Sequence, residues 1–347
     1  MIIEAKKDIR SLSLEDLRKF FIENEDKAFR GNQVYQWLWQ KGIHDFDGMT
    51  NLSIPTRNLL DEHFVINHID IDQQQKSIDG TIKNTIKLHD DLVVESVLIP
   101  TPSRTTACVS SQVGCSLDCK FCATAKIKRM RNLNPDEIYD QVVAIDKQSR
   151  LYFDRPLSNI VFMGMGEPLM NYNNLINAID KITKPEALGM SPSRITVSTS
   201  GIPKMIMKMA DDQVRFGLAI SLHSARQNLR EQLMPFAEKF SLEELAKSIQ
   251  YWYVKTSKPV TYEYLVWKGI NDQDEDIKAL IDFCKMTPSK VNLIEYNPIG
   301  DDEFLQAEKD RIEAYETALE ANGIRVTIRR SRGKDIDAAC GQLANKS

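Results

Sequence analysis

The sequence predicts an α/β chain: a partial (β/α)6 barrel preceded by a small helical domain. Three observations lead there. From about residue 105 onward, short β-branched runs alternate with amphipathic stretches of helical period. Before about residue 75 the apolar positions recur mostly at helical spacing. At 347 residues the chain is long for one average domain and short for three. The expected division is a helical accessory domain over 1–75, linking strands over 76–104, and a barrel with its carboxyl-terminal loop over 105–347.

The helical part begins at Ser13, a side chain suited to capping, followed by Leu14, Leu17, Phe20 and Phe21 on one face. A second helix carries Val34, Trp37 and Leu38, and a third starts near Pro55, a favoured first-turn residue. The period then changes. Thr81–Leu88 and Leu92–Ile99 read as strands joined through Asp90-Asp91. The barrel strands are expected at Thr105–Ser110, Asn159–Met163, Ile195–Ser200, Phe216–Leu222, Val260–Val266 and Val291–Tyr296, with Ile324–Arg329 ending the series. Helices are expected between them, among them Pro135–Gln148 capped by Asn134, Asn171–Ile182 and Leu242–Tyr253. Strand–helix alternation implies a parallel sheet. In such barrels chemistry sits at the carboxyl ends of the strands. Cys115, Gly164–Glu167, Ser198–Ser200, His223 and Asn297 all fall there.

The composition, 42% apolar and 27% charged, is that of an ordinary globular protein. No run of about 18 apolar residues argues for a membrane span, and the first residues lack the order of a signal peptide. A cytoplasmic location and no membrane partner are expected. Net charge is −4, but it is uneven. Residues 120–131 and 325–334 are basic and contain no acid, which points to a local polyanion site or to two solvated faces.

Four of the six cysteines, Cys108, Cys115, Cys119 and Cys122, lie within fifteen residues. In a cytosolic chain this favours metal or redox chemistry over a disulfide framework. The spacing Cys115-x3-Cys119-x2-Cys122 on a loop after a strand suits three irons of a cubane cluster, with the fourth iron open to a ligand. A zinc site closed by Cys108 is the alternative. Phe121 precedes the last cysteine and is placed to shield it. Gly164 and Gly166 allow close backbone approach, and Glu167 offers a carboxylate suited to a ligand ammonium.

The triplet with its aromatic resembles the radical S-adenosylmethionine (SAM) superfamily. The wider text SSQVGCSLDCKFCATAK (Ser110–Lys126) is similar to one branch, the RlmN/Cfr family of RNA adenosine methyltransferases. GMGEPL (Gly164–Leu169), STSG (Ser198–Gly201), SLHS (Ser221–Ser224), EYNPIG (Glu295–Gly300) and DIDAACGQL (Asp335–Leu343) follow in that family's order. The resemblance runs from about residue 13 to 344, and departs at the basic stretch Lys126–Met130. It implies a 4Fe–4S cluster on Cys115, Cys119 and Cys122. It implies SAM contacts at Gly166, Glu167, Ser198, Ser221, Leu222, His223 and Asn297.

It further implies a two-stage reaction using two SAM molecules per turnover. Cys340 takes a methyl group from the first. The second, cleaved reductively, generates a radical that activates the methylated sulfur toward adenine. Cys108 then resolves the protein–RNA adduct through a transient disulfide, and Glu95 accepts the ring proton. The relay has a chemical motive: the ring carbons of adenine between nitrogens are electron-poor, whereas a thiolate is a good methyl acceptor. Cys284 reads as a buried small hydrophobe. The implied substrates are 23S rRNA and tRNA, and the implied electron donor is a low-potential protein such as flavodoxin or ferredoxin. No oligomer face is advertised, so a monomer is expected.

Pro168, Val113 and Arg332-Gly333 resemble the carbon-2 (RlmN) side of the family rather than the carbon-8 (Cfr) side. Arg30–Trp39 offers aromatic and basic groups for nucleotides, with Trp37 and Leu38 expected in the core and Tyr35 and Trp39 freer to stack. The competing classes are a radical SAM enzyme for a small molecule and a zinc-dependent RNA-binding protein.

Overall fold

The computed structural model describes residues 6–300 and 303–345. In its amino-terminal part, β1 (Lys7–Asp8) pairs in parallel with β2 (Phe64–Val65), closing a unit of α1 (Leu14–Glu23), α2 (Phe29–Gln36) and α3 (Ile54–His63). Each start has a local cause. The Asp16 N–H donates to Ser13 Oγ at 3.1 Å and the Asp16 carboxylate takes the Ser13 N–H at 3.0 Å, a reciprocal cap. Ser53 caps α3, with Pro55 in its first turn.

Tyr35 and Trp39 are not free to stack nucleotides: they are 7% and 1% exposed. The reason is a π-helical turn over Trp37–Lys41, which ends at Gly42 with φ of +60°. A π turn inserts an extra residue, so the inward register slips and Trp39 takes the core position. Its ring meets Tyr139 edge-on at 5.2 Å. Trp37 stays half-buried under Lys41.

The rest is organised by one ten-stranded sheet. Its antiparallel portion is β3 (Asp70–Lys76), β4 (Ile82–Lys87) and β5 (Val93–Pro100), which pairs antiparallel with β6 (Thr105–Cys108). A short antiparallel pair, β7 (Gln112–Val113) with β8 (Arg131–Asn132), brackets the cysteine loop. Then strands and helices alternate: α4 (Pro135–Phe153), β9 (Asn159–Phe162), α5 (Tyr172–Thr183), β10 (Ile195–Thr199), α6 (Pro203–Asp211), β11 (Gly217–Ser221), α7 (Gln227–Leu233), α8 (Leu242–Thr256), β12 (Val260–Leu265), α9 (Asp274–Cys284), β13 (Ser289–Ile294), α10 (Lys309–Ala321) and β14 (Arg325–Arg329). The sheet order is β14-β13-β12-β11-β10-β9-β6-β5-β4-β3. The seven strands from β6 to β14 are all parallel. These are the six expected barrel strands plus the expected last one, in an open sheet. Every residue of β12 is buried, as parallel strands covered on both faces require. Among the described residues no helix is long and apolar enough to cross a membrane.

The helical unit is fastened to α4 by buried polar groups. Arg10 Nη1 donates to both Asp140 carboxylate oxygens at 2.8 Å, and Nη2 to Asp136 Oδ2 at 3.1 Å and to the Asn67 carbonyl. The Tyr139 hydroxyl donates to the Trp39 carbonyl. Replacing Arg10 by Met leaves two carboxylates buried without their cation, so it is expected to cost about 3 to 5 kcal/mol in chemical denaturation. A loss below about 1 kcal/mol, the range of an exposed pair, would sink this account.

Candidate active site

The carboxyl ends of the parallel strands surround a cavity of about 170 Å³ that all three clustered cysteines line. Their loop is fixed by backbone bonds: the Leu117 N–H donates to Cys115 Sγ at 3.4 Å and the Cys122 N–H to the Cys119 carbonyl at 3.2 Å. Phe121, Met234, Phe236, Trp267 and Tyr296 pack around it as a separate apolar cluster. Burial there pushes the Cys115 thiol up to about 11 and Cys119 well above its ordinary value, with the neighbouring thiols adding to the effect. A bound cation reverses that penalty, since thiolates are the metal-binding form.

The turn after β9 approaches closely enough that only glycine fits. A Cβ on Gly164 would meet the Val109 carbonyl carbon and oxygen at 2.8 Å, and one on Gly166, at φ of +95°, would meet Gln112 Cβ at 2.5 Å. Glu167 is buried at the cavity wall. Its Oε1 accepts from the Leu169 N–H at 3.0 Å and Thr199 Oγ1 at 2.7 Å; its Oε2 accepts from the Ser200 N–H at 2.8 Å and Ser200 Oγ at 2.7 Å. Four protein donors occupy the carboxylate, so a ligand ammonium reaches it only if a hydroxyl turns away.

His223 sits at φ of +55°, a conformation that costs about 1 to 3 kcal/mol unless its surroundings impose it. Here they do. Its Nδ1 accepts the Leu265 N–H at 3.2 Å, and its carbonyl accepts from Asn271 Nδ2 at 2.8 Å. Burial, aided by Arg230, lowers the ring to about 3, so it is neutral with its proton on Nε2. Arg230 is itself buried, with no carboxylate partner among the described residues; it donates to the carbonyls of Ser200, Ser221 and Leu222. That ties the ends of β10 and β11 together. Ser198, Ser221 and Asn297 line the same cavity, whereas Leu222 does not. Asn297 Oδ1 is buried without a hydrogen-bond partner among the described residues.

A second cavity, of about 310 Å³, shares Cys122, Thr124, Met163, Gly164, Ile294, Arg329, Cys340 and Gly341 with the first and is also lined by Cys108. Cys340 is exposed, and it faces both cavities. Its turn is held by the Ala123 N–H donating to the Gly341 carbonyl at 2.7 Å, Thr124 Oγ1 to the Leu343 carbonyl at 2.6 Å and Asn297 Nδ2 to the Cys340 carbonyl at 3.3 Å. Burial, with the charge of Cys340 nearby, pushes Cys108 up to about 12; although Cys340 as a whole residue is exposed, its sulfur is desolvated between the two cavities, which raises its thiol as well. Arg329 opposes both shifts. Burial alone would depress its guanidinium, but Glu263, 3.2 Å away, keeps it above the ordinary arginine value.

Glu95 lines neither cavity. It is fully buried, with Lys83 Nζ 3.3 Å from Oε1, and its Oε2 accepts the N–H groups of Ala344 at 2.8 Å and Asn345 at 3.1 Å. The basic stretch 120–131 is partly spent on the fold: Arg131 binds Asp90 at 2.6 Å and Glu137 at 2.7 Å.

Sequence reasoning missed Arg230, Glu263 and Arg329 as individuals. Glu263 carried a signal, a lone acid in the otherwise apolar strand VTYEYL. Arg329 was hidden in a run of five cations, and nothing local marks Arg230.

The lining fits a thiolate-held cluster beside a small polar ligand. Three soft donors open onto one dry cavity, and the orphaned Asn297 carbonyl oxygen and the His223 Nε2–H await partners. Among the described residues no three potential metal-binding side chains are already gathered as a site.

Changing Arg329 to Met removes a half-buried cation beside the Cys108 and Cys340 thiols. Alkylation of Cys340 by iodoacetamide at fixed pH, followed by mass spectrometry, is expected to slow several-fold, with Arg329→Lys retaining most of the rate. Equal rates in all three proteins would show that Arg329 does not set thiol reactivity.

Two family models match the chain: the ribosomal RNA large subunit methyltransferase N-terminal domain over residues 7–66, and the radical SAM superfamily over 109–284. A protein of Christiangramia forsetii named "Probable dual-specificity RNA methyltransferase RlmN" is 69% identical over 344 residues, covering 99% of this chain and 98% of its own. One of the same name from Salinibacter ruber is 41% identical, covering 99% and 95%. The crystal structure of a radical SAM methyltransferase from Sphaerobacter thermophilus superposes with a TM-score of 0.92 at 35% identity, covering 98% of this chain and 100% of that one. With the triplet, the parallel barrel and relatives matched end to end, the chain belongs to the RlmN family of radical SAM RNA methyltransferases, enzymes that use a 4Fe–4S cluster and S-adenosylmethionine.

Proposed function

We propose that the enzyme methylates carbon 2 of an adenosine in 23S rRNA, and of an anticodon-loop adenosine in tRNA, by carrying the methyl group on Cys340. The observation that supports the relay is that Cys108 and Cys340 line one cavity together with Arg329, while Cys340 also faces the cavity of the cysteine triplet. In this reading Cys115, Cys119 and Cys122 hold the cluster. Gly166, Glu167, Ser198, Ser221, His223 and Asn297 line the space for S-adenosylmethionine, and Leu222 acts through its backbone. The bound cluster supplies the electron for reductive cleavage of S-adenosylmethionine, drawn from a low-potential donor of the flavodoxin or ferredoxin kind.

The chain's own part is thiol chemistry. The Cys340 thiolate attacks the methyl carbon of one S-adenosylmethionine; a sulfur–carbon bond forms, the sulfonium carbon–sulfur bond breaks and S-adenosylhomocysteine leaves. Once the carried carbon is joined to the ring, Cys340 tethers protein to RNA. The Cys108 thiolate then attacks the Cys340 sulfur, a disulfide forms and the carbon–sulfur bond opens toward the new methyl group. Joining two thiols releases two electrons, matching the two that converting one S-adenosylmethionine to methionine and 5′-deoxyadenosine takes up overall. Methyl transfer to the ring is otherwise redox-neutral, and an external thiol reductant must reopen the disulfide. Arg329 favours both thiolates. Glu95 is the proposed acceptor of the ring proton. Its carboxylate now holds the N–H groups of Ala344 and Asn345, so that duty requires the tail to shift.

Nucleosides from ribosomal and transfer RNA, compared by mass spectrometry with and without the gene, are expected to differ by 2-methyladenosine. Finding 8-methyladenosine as the sole product would overturn the choice of carbon.

The two cysteines are expected to fail differently. Cys108→Ala should purify with covalently attached RNA, and Cys340→Ala without it. Identical behaviour of the two variants would undo the division of labour.

A further inference from the structure

The second cavity differs from the first in charge. Arg104, Arg329, Arg330 and Arg332 line it, with no Asp or Glu among the lining residues. These cations come from opposite ends of the parallel run. Arg104 lies in the turn entering β6, the first parallel strand, and the others follow from the end of β14, the last. The cavity therefore lies between the first and last parallel strands, beside β5, and Cys108 and Cys340 line it.

The arginines are not equally employed. Arg329 is bound to Glu263. Arg104 and Arg330 are exposed, and neither guanidinium makes a hydrogen bond or ion pair among the described residues. Arg332 has one long bond, 3.4 Å to the Asp79 carbonyl. Gathering four like charges with only Glu263 paired to one of them costs the free protein energy, and an anionic ligand recovers it. A guanidinium matches a phosphate in two-pronged geometry. A cavity with cations at its rim and two thiols in its wall calls for a ligand with phosphates outside and a base inside.

The geometry points to this cavity as the entrance for an unpaired, phosphodiester-linked nucleotide, with Arg104 holding the backbone on one flank and Arg330 with Arg332 holding it on the other. The base passes between them to Cys340, which a stacked or paired base does not reach. This rests on the proposed RNA substrate and adds the residues that hold its backbone.

The test uses the full chain and an unmodified in vitro transcript of 23S rRNA, with binding measured across a salt series for wild type, Arg104→Ala, Arg330→Ala, the double variant and the two Arg→Lys variants. Each lost phosphate contact lowers the slope of log affinity against log salt by about 0.7 to 0.9. Between about 50 and 200 mM salt each alanine variant is therefore expected to lose about threefold less affinity than wild type. The lysine variants, which keep a point charge, should keep the slope, and the KM for the transcript should rise in the alanine variants. If wild type neither binds nor methylates RNA, the proposed function itself fails. If wild type does both while the double variant keeps the wild-type slope, the arginine site is wrong. Weaker binding at an unchanged slope also overturns it, since that is the signature of a structural defect.

Discussion

Everything specific to this barrel depends on how its last turn is clasped. A chain end is ordered only where it is tied down, and here the ties come from three directions. The cysteine loop contributes the Ala123 N–H and Thr124 Oγ1, β5 contributes the Glu95 carboxylate, and the segment after β13 contributes Asn297. Each bond lands on backbone within four residues of Cys340 or just beyond, leaving the thiol itself unengaged. The groups expected to hold the cluster and the group expected to carry the methyl are thus parts of one hydrogen-bonded assembly. A shift of the cysteine loop is transmitted to Cys340 through two bonds shorter than 2.8 Å.

The second governing effect is desolvation. Phe121, Trp267 and Tyr296 keep water from the triplet, which makes uncompensated thiolates expensive and a multivalent cation welcome. The same dryness makes His223 neutral, so it serves as an Nε2–H donor and not as a charge. It also explains Arg230, whose guanidinium is lowered to about 10 by burial yet stays charged, with three carbonyl partners in place of a carboxylate. A buried cation beside the loop proposed to hold an anionic thiolate cluster would gain further compensation from that cluster.

How much of this was legible in the sequence follows from which features are local. The strands were, because a parallel sheet buried on both faces writes continuous apolar runs, and the caps at Ser13 and Asn134 and the first-turn Pro55 were, because a helix start is a matter of a few residues. The π turn at Trp37–Lys41 was not, because a single extra residue leaves no compositional mark, and so Tyr35 and Trp39 were misplaced. The residues expected on the SAM side were named through their motifs, and all but Leu222 line the first cavity, yet the full engagement of Glu167 by Thr199 and Ser200 depends on β9 and β10 being neighbours, which spacing alone does not reveal. Arg329 and Glu263 meet across two strands separated in sequence by 66 residues, so one of the electrostatically dominant pairs at the thiols is a product of tertiary structure.

The two cavities make opposite demands, and Cys340 is where they are reconciled. Cleaving a sulfonium under radical conditions calls for a dry, apolar wall that offers no stray proton or reactive bond. Receiving a nucleotide calls for a wet, cationic mouth. One pocket with both properties would let water and RNA phosphates reach the cluster loop. Separating them requires a courier that faces both, and the courier's neighbours must not block either side. Ala338, Ala339 and Gly341, the last at φ of +83°, give Cys340 that clearance. A bulky side chain in place of any of them would take up space in the lining of the second cavity. The small-residue text around Cys340 fits a steric condition of the proposed relay: in it the sulfur is reached from one side to be loaded and from the other to be unloaded.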